Sequence, residues 1–285
     1  MTRTAAAGVA TILGALLWAA APHTQSPGQV RPPLRLYILD CGRMAQRDGV
    51  AYGLSREQLP PRDLSNPCAL IVHPRGTLLW ETGLHESVNT TPPDAEPRPG
   101  RPRAGDRVER TLKSQLAEIG YQVSDVTYLA LSHSHWDHTG NARDYLEATW
   151  LVQRSEHEAM FGDSPLPNRA DFADLRDSQT RVLDGDYDVF GDSTVALLFT
   201  PGHTPGHQAL LVRLPNTGTV ILSGDLYHFP EELTLKTAPG GRNADQIAKS
   251  KQKIQALIET TGARLWIQHD SLGYAELQKA PAYYD

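Results

Sequence analysis

The chain has 285 residues, 40% hydrophobic and 21% charged, an ordinary globular composition that can bury one large core or two fused halves and sets disorder aside. A formal net charge of −6 provides no broad basic surface for a phosphate backbone, so nucleic acid is excluded as a partner and a small-molecule substrate fits better. Two cysteines, Cys41 and Cys68, are too few for a Cys-based structural zinc site, which leaves any metal chemistry to carboxylates and to the 11 histidines.

The N-terminus carries Arg3 and then an uncharged run, Ala5 to Ala21, that ends in small residues. This reads as a secretory signal peptide over residues 1–21, cleaved near Ala21. The run is short for a membrane span and contains Gly8, Thr11 and Gly14, and no cysteine stands nearby for lipid attachment. A secreted or periplasmic mature chain, without stable membrane association, is therefore expected. In that oxidising compartment Cys41 and Cys68 can form a disulfide or stay as two buried thiols; the sequence leaves both open.

Short apolar runs at Leu34 to Leu39, Ala69 to Val72 and Thr77 to Trp80 read as strands. The polar stretch between the first two, Gly42 to Pro67, is too long for a tight hairpin and reads as a loop able to shape a pocket. Thr91 to Pro102 holds five prolines and reads as an extended connector. Asp106 with Glu109 suggests a capped helix start, Val108, Leu112, Leu116 and Ile119 recur at helical spacing, and Gly120 supplies the stop. A strand at Val126 to Leu131, a short helix after Asp137, a strand at Trp150 to Val152 and a polar helix from about Ser155 follow. Strands at Thr194 to Phe199, Ala209 to Val212 and Val220 to Leu222, a helix over about 243–260 and a strand at Leu265 to Ile267 complete the chain. Strand-rich stretches with a helix in each half suggest an α/β protein built as a four-layer αββα sandwich.

The run His133-Ser134-His135-Trp136-Asp137-His138 places four metal-competent side chains within six positions, directly after an apolar strand. In extended backbone His133 and His135 share a face and can grip one ion. Asp137 and His138 lie where the chain turns into a helix and can face a second. His203, Asp225 and His269 each follow a further apolar strand, so the candidates converge if those strand ends share one edge of the sandwich. Imidazole and carboxylate donors favour zinc, and seven of them suit two ions. His133, His135 and His203 are assigned to the first, Asp137, His138 and His269 to the second, with Asp225 bridging. Two zinc ions per chain would lower the pKa of a shared water and act as Lewis acids in hydrolysis. His207, four residues past His203, reads as a supporting residue rather than an eighth ligand. Trp136 reads as packing beside the metals, and His23, His73, His85 and His157 lie off the constellation.

The His-x-His-x-Asp-His motif and the later His, Asp and His resemble the metallo-β-lactamase superfamily, which implies its αββα fold for a single hydrolase domain over residues 32–285. Thr200-Pro201-Gly202-His203-Thr204-Pro205-Gly206-His207-Gln208 and the acidic Asp225 resemble its N-acyl homoserine lactonase group. The resemblance implies a quorum-quenching lactonase in which a metal-bridging hydroxide attacks the lactone carbonyl and Asp137 shuttles the proton. Two positions depart from the pattern. The group's Tyr three residues after the bridging Asp is His228 here, with Tyr227 one position earlier, so either is a candidate catalytic or substrate contact. The usual Asp-Thr-Gly after a strand is Glu81-Thr82-Gly83. The same site chemistry leaves another ester, an organophosphate or a β-lactam as alternative substrates, and a non-catalytic metal- or lactone-binding protein as a lesser alternative. A homodimer is compatible with the sequence, which does not fix the oligomeric state.

Overall fold

A computed structural model describes residues 33–96, 98, 100–163, 169–235 and 243–285; the segment read as a signal peptide lies outside them. Six strands form the first sheet in chain order: β1 (Arg35–Arg47), β2 (Arg62–His73), β3 (Gly76–Trp80), β4 (Tyr128–Ala130), β5 (Thr149–Gln153) and β6 (Thr180–Leu183). Its first three strands are antiparallel and its last four parallel. The second sheet has β7 (Tyr187–Asp188), β8 (Val195–Phe199), β9 (Gln208–Leu214), β10 (Gly218–Leu222) and β11 (Arg264–Trp266), in the order β11-β10-β9-β8-β7.

Successive side chains along a strand point to opposite faces, and that alternation sorts the apolar residues into layers. Leu36 and Ile38 of β1, Leu78 and Trp80 of β3 and Leu151 of β5 meet Leu197 of β8, Leu210 and Val212 of β9 and Val220 and Leu222 of β10 between the sheets. Tyr37, Leu39, Leu79, Leu129 and Trp150 face the other way, against Leu112 and Leu116 of α1 (Leu112–Glu118) and other residues outside the first sheet. Leu198, Leu211 and Ile221 face Ile254 of the long helix over Ala244–Thr261, outside the second sheet. The architecture is the αββα sandwich.

Two expectations are corrected. The stretch Gly42 to Pro67 is strand at both ends, because β1 runs on to Arg47 and β2 begins at Arg62. Arg43 and Gln46 face outward and pair across the hairpin with Asp63, while Met44 opposes Leu64 underneath. Met44, Leu54, Leu59 and Leu64 build a core of their own with Leu84, Val88, Val108 and Phe229, so this segment is a packed wall rather than a loose excursion. The helix does not begin at Asp106. Thr111 is its cap, accepting from Ser114 N at 3.2 Å. Asp106 is buried instead, 2.7 Å from Arg47 and accepting from Ala45 N and Arg103 N, so its charge is paired and hydrogen-bonded. Gly120, at φ 83°, does end the helix. Of the two readings left open for the cysteines, the structure has the disulfide: Cys41 and Cys68 tie β1 to β2 with a Cα–Cα distance of 5.7 Å.

Candidate metal centre

The backbone is extended at His135 (φ −70°, ψ 152°), and α2 (Trp136–Thr139) then turns Asp137 and His138 inward. His203 follows β8, Asp225 follows β10 and His269 follows β11. All seven candidate ligands are brought together. His203 Nε2 stands 3.0 Å from His133 Nε2 and 3.1 Å from His135 Nδ1, three nitrogens converging on one point. Asp225 Oδ2 lies 3.3 Å from His203 Nε2 and 3.7 Å from His133 Nε2. Its other oxygen, Oδ1, lies 3.2 Å from His138 Nε2 and 3.0 Å from His269 Nε2. Asp137 Oδ2 is 3.5 Å from each of those two nitrogens. The donors thus form two sets, His133, His135, His203 and Asp225 in one and Asp137, His138 and His269 in the other, with atoms in each set within 4.8 Å of one another.

These residues fit metal ions. Four donors about 2.05 Å from a zinc ion at tetrahedral angles stand about 3.3 Å apart, and the separations above scatter around that edge length. His138 Nε2 and Asp225 Oδ1 are fully buried without a hydrogen-bond partner among the described residues, which is costly unless a cation takes their lone pairs. The second nitrogen of several rings is held from behind: His138 Nδ1 lies 3.2 Å from Glu81 Oε1, and His269 Nδ1 donates to Ser65 O at 2.8 Å. Such outer contacts fix the tautomer and aim the ligating nitrogen inward.

The donors perturb one another strongly. Burial, and the neighbouring His138, His135 and His203, push His133 well below the ordinary histidine range. Burial acts the same way on His138, but Glu81, Asp225 and Asp137 outweigh it and carry that ring well above. Burial alone would raise Asp225; the surrounding His269, His138, His228 and His133 hold it well below the usual carboxylate range.

Of the two candidate substrate contacts, Tyr227 and His228, only His228 faces the centre. Its Nε2 is 3.2 Å from Asp225 Oδ2. Tyr227 does not, and its candidacy is corrected. Its backbone is extended (φ −137°, ψ 137°), so neighbouring side chains point to opposite sides. Tyr227 packs with Leu226 and Ile254 on the outer face of the second sheet, under Lys251, whose Nζ is 4.4 Å from the ring centroid. His207 is a support: its Nε2 accepts from Asp225 N at 2.9 Å, and its Nδ1 faces Thr200. Trp136 packs beside the hairpin core with Tyr52, and the Tyr52 ring lies 4.1 Å from that of His228. The segment Gly42 to Pro67 therefore does wall the site, through Tyr52 on its 3-10 turn (Gly49–Tyr52). A cavity of about 450 Å³ opens beside His203 and Thr204.

Three buried acids hold the site from behind: Glu81, the acid of the altered Asp-Thr-Gly, and Glu156 and Glu232, which escape sequence reasoning. Glu81, at φ 65°, accepts from Ser132 N with both oxygens at 3.2 Å. Glu156, on α3 (Arg154–Phe161), accepts from Ser134 N at 2.9 Å and from Gly206 N at 2.8 Å, so one carboxylate joins the loops that carry His135 and His203. The usable signal for Glu156 is its place one helical turn before the apolar Met160, on the face that turns inward. Glu232 lies behind His228.

Comparison with known proteins places this geometry. Residues 61–260 match the profile of the Metallo-beta-lactamase superfamily. The chain is 32% identical over 277 residues to N-acyl homoserine lactonase AttM of Azorhizobium caulinodans, covering 88% of this chain and 99% of that one. It is 27% identical over 246 residues to N-acyl homoserine lactonase AiiA of Bacillus thuringiensis subsp. kurstaki, covering 83% and 93%. Among solved structures, an N-acyl homoserine lactone hydrolase with the product N-hexanoyl-L-homoserine at its catalytic metal center shares the fold. Its TM-score is 0.72 at 24% identity, covering 87% of this chain and 98% of that chain.

Proposed function

Because this chain belongs to the metallo-β-lactamase superfamily, we propose that it is a dizinc hydrolase that opens the lactone ring of N-acyl homoserine lactones. The observation that carries the reading is Asp225, whose two oxygens face two separate donor sets. The 32% identical lactonase supplies the substrate class. Imidazole and carboxylate donors without thiolate favour zinc over softer or harder ions. Two bound zinc ions supply Lewis acidity and a water of lowered pKa.

The chain's own residues do the rest. In ring opening, a water oxygen bonds to the carbonyl carbon, the ring C–O bond breaks, and one proton must reach the departing oxygen. Asp137, whose Oδ2 faces His138 and His269 at 3.5 Å from each as a donor, has its other carboxylate oxygen to take and pass on that proton. Glu81, Glu156 and His207 keep the donor loops in register, and Tyr52 with His228 closes one side against water. The leader ending near Ala21 would deliver the protein outside the cytoplasm, and the disulfide between Cys41 and Cys68 favours that reading.

The test is ring opening of N-acyl homoserine lactones of several chain lengths by zinc-loaded mature protein, followed by proton release. Turnover should vanish with a chelator and return with zinc. A protein carrying two zinc ions that opens none of them, while hydrolysing an aryl phosphotriester or a β-lactam, would overturn the substrate. Inertness on all three would overturn the enzyme.

A further inference from the structure

Behind the metal centre lies an array that the seven donors do not use. His228 is 2% exposed, and its Nε2 has no hydrogen-bond partner among the described residues although it stands 3.2 Å from Asp225 Oδ2. It nonetheless stands outside both donor sets. On the far side of the ring, Nδ1 is 3.2 Å from Glu232 Oε1. The same oxygen accepts from His228 N at 2.7 Å and from Phe229 N at 3.2 Å. Glu232 is 3% exposed, and its second oxygen is 3.2 Å from Lys251 Nζ on the long helix over Ala244–Thr261.

A capping acid would explain the contact with Phe229 N alone. It does not explain why the imidazole is gripped as well, nor why a lysine is brought in from another layer of the fold. An acceptor-only carboxylate facing Nδ1 places a proton on Nδ1, so Nε2 is the atom offered to the centre. The Tyr52 ring, 4.1 Å away, restricts the imidazole from one face.

We propose that Glu232, held by Lys251, is a positioning residue for the hydrolytic reaction: it acts through His228, fixing the Nδ1–H tautomer and aiming Nε2 at the metal centre as a substrate contact. The inference rests on the hydrolase reading. It assigns to a Lys–Glu–His array the place that a single Tyr holds in the pattern this chain resembles. Partners of this kind behind a metal-ligating imidazole are worth about 10–100-fold in affinity or activity, and an effect of that order is expected for this imidazole beside the metal centre.

The experiment is a double-mutant cycle on the full mature chain, with wild type, Glu232→Gln, His228→Ala and the double variant, each loaded with zinc and assayed for metal content, kcat and KM on whichever ester or lactone the wild type turns over. Glu232→Gln should retain two zinc ions and lower kcat about 10–100-fold with a smaller change in KM. In the His228→Ala background the same change should cost less than about twofold, because a partner that acts through His228 has nothing left to position. Histidine-selective ¹⁵N spectra should show His228 as the Nδ1–H tautomer in wild type and lose that signature in Glu232→Gln alone. An equal loss of kcat in both backgrounds, or an unaltered tautomer, overturns the proposal. Lys251→Gln, which leaves the acid in place, should act in the same direction and likewise vanish without His228; it decides the matter if Glu232→Gln does not fold. If the wild type turns over nothing, the hydrolase reading falls, while the tautomer spectra still decide whether Glu232 sets the imidazole.

Discussion

Removing Glu156 should weaken both the fold and one half of the metal centre. Its two oxygens satisfy Ser134 N and Gly206 N at 2.9 and 2.8 Å, and the residue is 3% exposed. Glu156→Ala leaves two buried donors without acceptors, at about 1–3 kcal/mol each. Water entering the space left by the carboxylate recovers part of that, so a net loss of about 3 kcal/mol is expected. For a domain of this size each kcal/mol shifts Tm by about 2–4 °C, giving a drop of about 6–12 °C in the metal-free protein. Ser134 lies between His133 and His135, and Gly206 is in the loop that carries His203, so the first donor set loses its tie. The second set keeps its supports, Glu81 behind His138 and Ser65 O behind His269. Zinc affinity should therefore fall about 10–100-fold at one site and hold at the other. Glu156→Gln should recover less than half of the stability, because its amide oxygen serves one N–H while its NH₂ opposes the second. Calorimetry of the metal-free variants and zinc titration against a competing chelator measure both effects. A metal-free Tm within 2 °C of wild type (about 1 kcal/mol or less), with two unchanged affinities, would refute the argument.

Asp225→Ala should lower the zinc content below two per chain, since both donor sets lose a carboxylate oxygen; elemental analysis that still finds two would contradict the bridging assignment. Tyr227→Phe should leave kcat/KM within about twofold of wild type, because it keeps the ring that packs with Leu226 and Ile254 under Lys251, away from the reacting groups; a tenfold loss would return Tyr227 to the site. Cys41→Ser with Cys68→Ser should destabilise the fold by about 3–4 kcal/mol on the chain-entropy argument for a separation of 27 residues, read from denaturant midpoints; a loss below about 1 kcal/mol would mean that the hairpin is held by its core alone.

The strands and donors were legible where one feature is written in consecutive residues. Apolar runs such as Ala69 to Val72 and Val220 to Leu222 lie within strands, and each donor group follows such a run. The outer halves of β1 and β2 were hidden because register shifts at Asp40/Arg43 and Met44/Arg47 break the two-residue alternation just where Arg43, Gln46 and Asp63 turn to solvent. β6 and β7 escaped because they are short and only partly buried. Glu81 was marked by its place in the altered Asp-Thr-Gly and Glu156 only by its helical spacing from Met160, whereas Glu232 carried no signal, since what distinguishes it is burial against backbone N–H groups. Tyr227 and His228 are neighbours in sequence, and only the extended backbone between them decides which one faces the centre.

The centre lies on the seam between the sheets, and this joins its chemistry to its stability. His133, His135, Asp137 and His138 follow β4 of the first sheet, whereas His203, Asp225 and His269 follow strands of the second. Each ion of the proposed pair would therefore draw donors from both sheets. Seen from the fold, that is a cross-link over the interlayer core that contains Trp80, Leu151, Leu210 and Val220. A ligand that binds only the folded state stabilises it by about 4 kcal/mol at a thousandfold excess over its Kd. That gain offsets the burial of His138 Nε2 and Asp225 Oδ1 without hydrogen bonds, which a fold lacking the cations would have to absorb. The buried polar atoms that are costly without metal belong to residues that would hold it, so the metal site and the closed sandwich depend on the same donors.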